Sequence, residues 1–311
     1  MSHELQLAPI TDGDKAQLKE LALKNGGNNN LTEDYIQHWY FENPSKSYSL
    51  WKAELNGSIE GFATSNNFSF VINNKRCRVA MPQNVLTSVK VRGKGVFNKL
   101  YFKTEADNVE NNRADYFLTF TNKLSTPIFL SKFGYSRGIC PPVVLSFFSP
   151  LRFLKKNDFE RITDLNSVGV LHPYRFNNAL EKSTEHMQWR YRKYTFPELH
   201  IIAVKKNDII IGYAFLKAEK KKGIRFLMLM DVFCEKEKDV SLIIDACYSY
   251  TAKNYFLFLM MFELPNYKQK SILQLKIKDR FNFLVKGKNP EETMMLSRLK
   301  CNFFFGTMDS F

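Results

Sequence analysis

Val91-Arg92-Gly93-Lys94-Gly95-Val96-Phe97 lies between an apolar stretch, Val79 to Val89, and a helix-like run, Asn98 to Asn111. Glycine reaches positive φ without steric cost and lets backbone amides approach an anion, and a helix opening directly after such a turn offers its positive dipole end. The heptapeptide therefore reads as a pyrophosphate cradle, although a basic glycine turn between strand and helix satisfies the same pattern. The downstream residues narrow the choice. Asp115 to Phe120 reads as a strand, Thr121-Asn122 comes next, Ser125 to Lys132 is helix-like, and Phe133-Gly134-Tyr135 closes the set.

Strand, Arg-Gly-x-Gly turn, helix, strand ending in Asn, short helix and aromatic-Gly-aromatic is an order that resembles the acyl-CoA-binding half of the GNAT N-acetyltransferase superfamily. There an Arg-x-x-Gly-x-Gly/Ala loop holds the pyrophosphate of coenzyme A. Arg92 and Gly95 match its first two defined positions, and Phe97 stands at the third. Leu86 to Phe97 and Phe120 to Ser125, taken with Trp189-Arg190-Tyr191, resemble a bacterial subgroup of about this length with two GNAT-like halves and no assigned substrate. The resemblance implies an α/β (α+β) chain of two tandem units, each a mixed, mostly antiparallel sheet flanked by helices. It implies acetyl-CoA or another acyl-CoA as co-substrate and no metal. The backbone of Leu86, Thr87, Ser88 and Val89 would pair with the pantetheine arm. The amides of Gly93, Lys94, Gly95, Val96 and Phe97 would hold the pyrophosphate, Arg92 or Lys94 would add charge, and Asn122 and Ser125 would line the far side.

The chain has 311 residues, enough for one large or two ordinary domains. It is 44% hydrophobic and 24% charged, a globular composition, and no apolar run approaches the roughly 20 residues that span a bilayer. Met1-Ser2-His3-Glu4 begins no secretory signal, so a cytoplasmic location is expected. The five cysteines and five histidines are scattered, which argues against a disulfide framework and a zinc site. A net charge of +14 fits an acidic partner. The lysines nevertheless fall in short clusters such as Lys155-Lys156 and Lys220-Lys221-Lys222, outside any nucleic-acid module, and read as solvated faces.

The chain repeats itself. Tyr35 to Tyr40 reads as a helix ended at Asn43-Pro44, and Asn56-Gly57 joins Tyr48 to Leu55 with Ser58 to Ser65 as a hairpin. Later, Gln188 to Tyr191 precedes Pro197, His200 to Val204, a polar turn and Ile209 to Phe215, pairing Trp39 with Trp189 and Gly61-Phe62 with Gly212-Tyr213. Ile224 to Cys234, Val240 to Ala252 and Tyr255 to Phe262 continue as strand, helix and strand. Where the first half has Arg-Gly-Lys-Gly, the second has Glu235-Lys236-Glu237-Lys238-Asp239, which would repel phosphate. The expected division is residues 1–150, with the acyl-CoA loop, and 151–311, a degenerate unit on the acceptor side. The join falls between Pro150 and Asp164, and apolar Val143 to Phe148 is an alternative linking strand.

Direct attack by an amine on a thioester requires a proton acceptor, a stabilised oxyanion and a protonated leaving thiolate. The tyrosine that many GNAT enzymes place four residues before the glycine of the aromatic-Gly-aromatic element is Leu130 here, leaving Tyr135 and Tyr116 as neighbours. The strand before the loop offers Gln83 and Asn84 where a glutamate is common. Candidate bases are therefore Asp231, on an otherwise apolar strand, His38 and Glu42. In multi-unit aminoglycoside acetyltransferases of the enhanced intracellular survival type a terminal carboxylate reaches the active site, and Phe311 resembles that only in being aromatic. The expected function is acyl-CoA-dependent N-acylation of a primary amine on a small molecule, amino sugar or peptide. Two alternatives stand: a non-catalytic module that binds coenzyme A or a partner, and an aminoacyl-tRNA-dependent transferase, whose relatives typically lack the Arg-Gly-x-Gly loop.

Overall fold

The computed structural model describes residues 5–25, 31–147, 158–169, 174–192, 198–264, 267 and 273–308. Phe311, Lys155-Lys156, Pro197 and the 150–157 part of the expected join lie outside them. The chain begins with β1 (Gln6–Pro9), α1 (Lys15–Lys24), α2 (Glu33–Ile36), β2 (Tyr48–Leu55), β3 (Ser58–Ile72) and β4 (Lys75–Thr87). It continues with α3 (Val96–Glu110), β5 (Tyr116–Thr121), α4 (Thr126–Lys132) and β6 (Ser136–Arg137). Then come β7 (Val143–Phe147), β8 (Phe159–Ile162), β9 (Ala179–Leu180), α5 (Thr184–Arg190), β10 (Leu199–Lys206), β11 (Ile209–Lys221) and β12 (Ile224–Cys234). Last are α6 (Glu237–Lys253), β13 (Leu259–Phe262), β14 (Leu273–Ile277), β15 (Asn282–Lys286) and α7 (Pro290–Ser297).

Two compact units result, and they are discontinuous. Residues 1–70, 75–138 and 282–299 form the first; residues 71–74, 139–281 and 300–311 form the second. The division at residue 150 thus needs correction. The chain leaves the first unit after Gly138 and returns to it at Asn282, because apolar β7 finds its antiparallel partner in β13 and β15 finds its own in β5.

The two sheets share one strand order. The first unit runs β1-β2-β3-β4-β5-β15-β6, and the second runs β8-β10-β11-β12-β13-β7-β14. Position by position the pairings agree: β4 and β5 are parallel, as are β12 and β13, and the strand beyond each is antiparallel. The sixth position of each sheet is filled by a strand encoded next to the other half. Hairpin turns agree with the sequence. Asn56 (φ 54°) and Gly57 (φ 75°) close β2–β3, and Asn207 (φ 52°) and Asp208 (φ 60°) close β10–β11. Gly61 and Gly212 recur for a packing reason. A Cβ at Gly61 would press on Leu100 of α3 at 3.0 Å, and one at Gly212 on Ile243 of α6 at 2.6 Å, so each glycine lets the crossover helix settle on its sheet.

His186, buried on α5 behind its Ser183 N-cap, gives the second unit a pH signature. Burial, then the Arg190 and Lys182 charges, push its imidazole from 6.5 down to about 3. The fold holds it neutral while the unfolded chain protonates it, so its contribution is whole above pH 6.5 and is lost as pH falls from 6.5 toward 3. Urea unfolding at pH 5 and pH 7 should differ, with stability dropping by up to about 1.4 kcal/mol per pH unit below 6.5. His186→Phe should flatten that slope.

Candidate functional site

β4 and β5 pair only through Val79↔Tyr116 and Ala80↔Phe117. The break has a cause two residues on. Pro82 has no N–H to donate, so the parallel ladder cannot continue through it, and its carbonyl accepts instead from the Thr119 hydroxyl at 2.9 Å. Beyond this point β5 stays paired with β15 as far as Asn282↔Thr121, while Gln83 to Leu86 of β4 are half-buried in mid-sheet. A wedge therefore opens along the C-terminal half of β4. Parallel direction puts the end of β4 and the end of β5 on the same sheet edge.

The glycine loop lies at that edge. After a single turn, Val89–Val91, Arg92 is extended, Gly93 stands at φ 76° and Gly95 at φ 75°. Gly95 is the N-cap of α3, so no side chain caps the helix, and its first turn carries no acid. The free N–H groups at this end keep their positive field. A Cβ at Gly93 or Gly95 would meet no atom within 4 Å, so the space beside both glycines is open. The loop is braced from behind. Arg92 donates through Nε to the Thr87 carbonyl (3.3 Å) and through Nη2 to the Asn25 carbonyl (3.2 Å), and the Asn25 side chain accepts the Val89 amide (3.0 Å). Arg92 thus shapes the cradle, and Lys94 is its exposed cation. Phe97, at the position where Gly or Ala is usual, packs its half-buried ring against Phe133 (6.0 Å). The second unit's counterpart helix, α6, begins with Lys236 as N-cap and carries Glu237 and Asp239 in its first turn, which satisfies its dipole with its own carboxylates.

Solved structures share the fold over most of the chain. A GCN5-related N-acetyltransferase from Kribbella flavida aligns with TM-score 0.66 and 12% identity over 96% of this chain and 74% of its own. Another from Anabaena variabilis gives 0.66 and 12% over 95% and 75%. Eis1 from Mycobacterium abscessus gives 0.61 and 9% over 90% and 73%. The fold is that of the GCN5-related N-acetyltransferases. No protein-family model matches the chain, and no curated protein does.

Within this GNAT fold the remaining expected residues take definite places. Leu86 and Thr87 end β4, with Thr87 and Ser88 buried; the Ser88 amide donates to the Glu60 carbonyl at 2.8 Å, and Val89 is exposed. Asn122 forms a turn of its own, its side-chain oxygen accepting the amides of Leu124 and Ser125 (both 2.9 Å) and the Ser125 hydroxyl (3.1 Å), which starts α4. Asn122 and Ser125 therefore shape the end of β5. Tyr135 is a core residue: its hydroxyl meets that of Tyr101 at 2.6 Å, and burial pushes both phenols upward. Tyr116 begins β5, at the end away from the cradle.

A neutral polar array engages the C-terminal half of β4. Trp39 Nε1 donates to Gln83 (2.6 Å), Asn84 donates to the Tyr40 hydroxyl (2.7 Å), and Tyr40 meets Thr64 at 2.9 Å. His38, one residue before Trp39, is buried with Nδ1 3.7 Å from Glu42 Oε2. This pair thus stands on the turn that β4 grips. Glu60 escaped the sequence reading. It is the bulged residue between the pairs Glu54↔Ile59 and Ala53↔Gly61, and Lys90 reaches its carboxylate at 3.0 Å. Burial alone would raise its pKa, but the Ser88 hydroxyl and the Lys90 ammonium outweigh that and hold it below the usual carboxylate range. A bulge offset beside Gly61 was its only signal.

Asp231 belongs to the second unit, 1% exposed on β12, with Lys182 engaging one carboxylate oxygen and Tyr191 the other. Both oxygens are committed inside the fold, which gives Asp231 a structural place. Among the described residues no group of three His, Cys, Asp or Glu side chains could hold a metal, and no helix is long and apolar enough to cross a membrane.

Arg92→Ala should loosen the brace without emptying the core. It removes charge-assisted bonds to two carbonyls at a partly exposed site, so a loss of about 1 kcal/mol in urea unfolding and weaker coenzyme A binding are expected.

Proposed function

We propose that the first unit binds an acyl-CoA along the open half of β4 and transfers its acyl group to a primary amine. One observation carries this reading: the wedge beyond Pro82 leads to two left-handed glycines with clear space before them, at an uncapped, acid-free helix N-terminus. These residues fit a pyrophosphate, whose oxygens the amides of Gly93 and of Gly95 to Phe97 and the Lys94 ammonium would receive, the Lys94 amide being held by the Val91 carbonyl at 3.3 Å. The half-open backbone of Gln83 to Leu86 would hold an amide-bearing arm. Acyl-CoA supplies the thioester carbonyl when bound.

The protein's share is placement and proton handling. Gln83 and Asn84, fixed by Trp39 and Tyr40, present oriented neutral dipoles to the acceptor. Most acceptor amines are protonated near neutral pH, so the His38–Glu42 pair is proposed to take the proton, directly or through water. His38→Gln should lower kcat/KM by about 10²-fold or more while coenzyme A binding persists. Unchanged kcat/KM would remove His38 from the reaction.

A second reading is favoured by the same array. Where many such enzymes carry a carboxylate this strand has Gln83 and Asn84, and Tyr135 is buried, which suits a module that binds coenzyme A without turnover. Acetyl transfer and acetyl-CoA hydrolysis assayed across aminoglycosides, polyamines, amino acids and peptides separates the two. Acylated product supports the enzyme; binding with no turnover on any amine supports the module.

A further inference from the structure

We propose that the second unit's cleft is a peptide-binding site, filled in cis by residues 303–308 and recognising an aromatic-Gly segment that carries a single 3-10 turn at Phe305–Thr307. This stands independently of the acyltransfer reading. β12 and β13 pair only at Leu227↔Leu259 and Met228↔Met260 and then part, as β4 and β5 do. A bulge at Met230, between the pairs Phe215↔Asp231 and Leu216↔Leu229, re-aims the strand there. In the first unit the matching stretch of β4 is half-open; in the second, β12 is buried through Cys234. Helix α6 covers one part of it, and the segment after α7 covers the stretch around Met230 and Asp231.

The contacts have the form of recognition. Arg190, 1% exposed, donates through Nε to the Gly306 carbonyl (3.0 Å) and through Nη2 to the Met308 carbonyl (2.7 Å), so a buried guanidinium reads backbone. Gly306 is the gate. A Cβ there would collide with Asp231 Oδ2 and Tyr191 Oη and lie 2.9 Å from the Met230 carbonyl, and these neighbours cannot yield because Lys182 and Tyr191 hold Asp231. Aromatic anchors precede the gate. Phe305 packs on Phe262 at 4.7 Å, and the Lys182 ammonium lies 3.9 Å from the Phe304 ring centroid. Asn302 tethers the segment through its amide to the Asn178 carbonyl (3.0 Å) and its side chain to the Asn177 carbonyl (2.8 Å). Asp231, Tyr191 and Arg190 are on this reading positioning residues for a peptide.

The test uses full-length protein with a protease site introduced between Leu299 and Lys300, cut after folding. A fluorescent peptide with the sequence of residues 300–308 should exchange into the nicked protein saturably. The same peptide carrying Gly306→Val should compete at least tenfold less well, and coenzyme A should not compete. Failure of the peptide to exchange short of unfolding, equal competition by the valine peptide, or displacement by coenzyme A would each overturn the assignment. In the intact chain, Gly306→Ala should speed thermolysin cleavage within residues 301–308 at least tenfold while cleavage of the first unit stays as in wild type; equal rates would contradict it.

Discussion

Acetyl-CoA is expected to raise the melting temperature of the wild-type protein, and Gly93→Val with Gly95→Val is expected to abolish that rise. A ligand bound only by the folded state at 100 times its Kd adds about 2.7 kcal/mol. For a domain of 150–250 residues each kcal/mol moves Tm by about 2–4 °C, so a shift of about 5–10 °C is at stake. Both glycines hold φ near 75°, where a β-branched residue is strained, and both face open space that valine would fill. Gly223→Val supplies the control. It meets the same backbone restriction at φ 83° in the β11–β12 turn and should leave the acetyl-CoA shift intact. A double cradle variant that keeps its full shift would remove the loop from the binding site.

The second large effect concerns stability. Lys182→Met leaves the Asp231 carboxylate buried without its cation, and breaking a buried pair from one side costs about 3–5 kcal/mol. Lys182→Met with Asp231→Leu should recover much of that loss, since replacing both partners with apolar groups removes the uncompensated charge. Urea unfolding of the two variants decides it. A single variant as stable as wild type would mean that Lys182 does not neutralise Asp231 in the fold.

Legibility tracked the range of the interaction. Arg92 to Phe97 announced a turn because positive φ at Gly93 and Gly95 is a local demand, and Asn56-Gly57 announced a hairpin for the same reason. Gly61 and Gly212 stand out in matching places because each admits a helix. Exchange of β7 and β15 was hidden, since strand pairing over more than a hundred residues leaves no mark on either strand's own pattern. Pro82 was a readable signal for the wedge, since a missing N–H is a local property. Asp231 looked available because its neighbours are apolar, yet its partners Lys182 and Tyr191 come from residues far upstream of β12. The resemblance implies that Arg92 or Lys94 adds charge at the pyrophosphate, and only the geometry reveals the carbonyls that Arg92 engages.

Hydrogen–deuterium exchange of the intact protein with and without saturating acetyl-CoA tests the central claim most directly. The account predicts new protection confined to Gln83–Thr87, the loop through Phe97 and the first turn of α3, with Met230–Asp239 of the second unit unchanged. Protection appearing at Met230–Asp239, or none along β4 and its loop at saturating ligand, would contradict it.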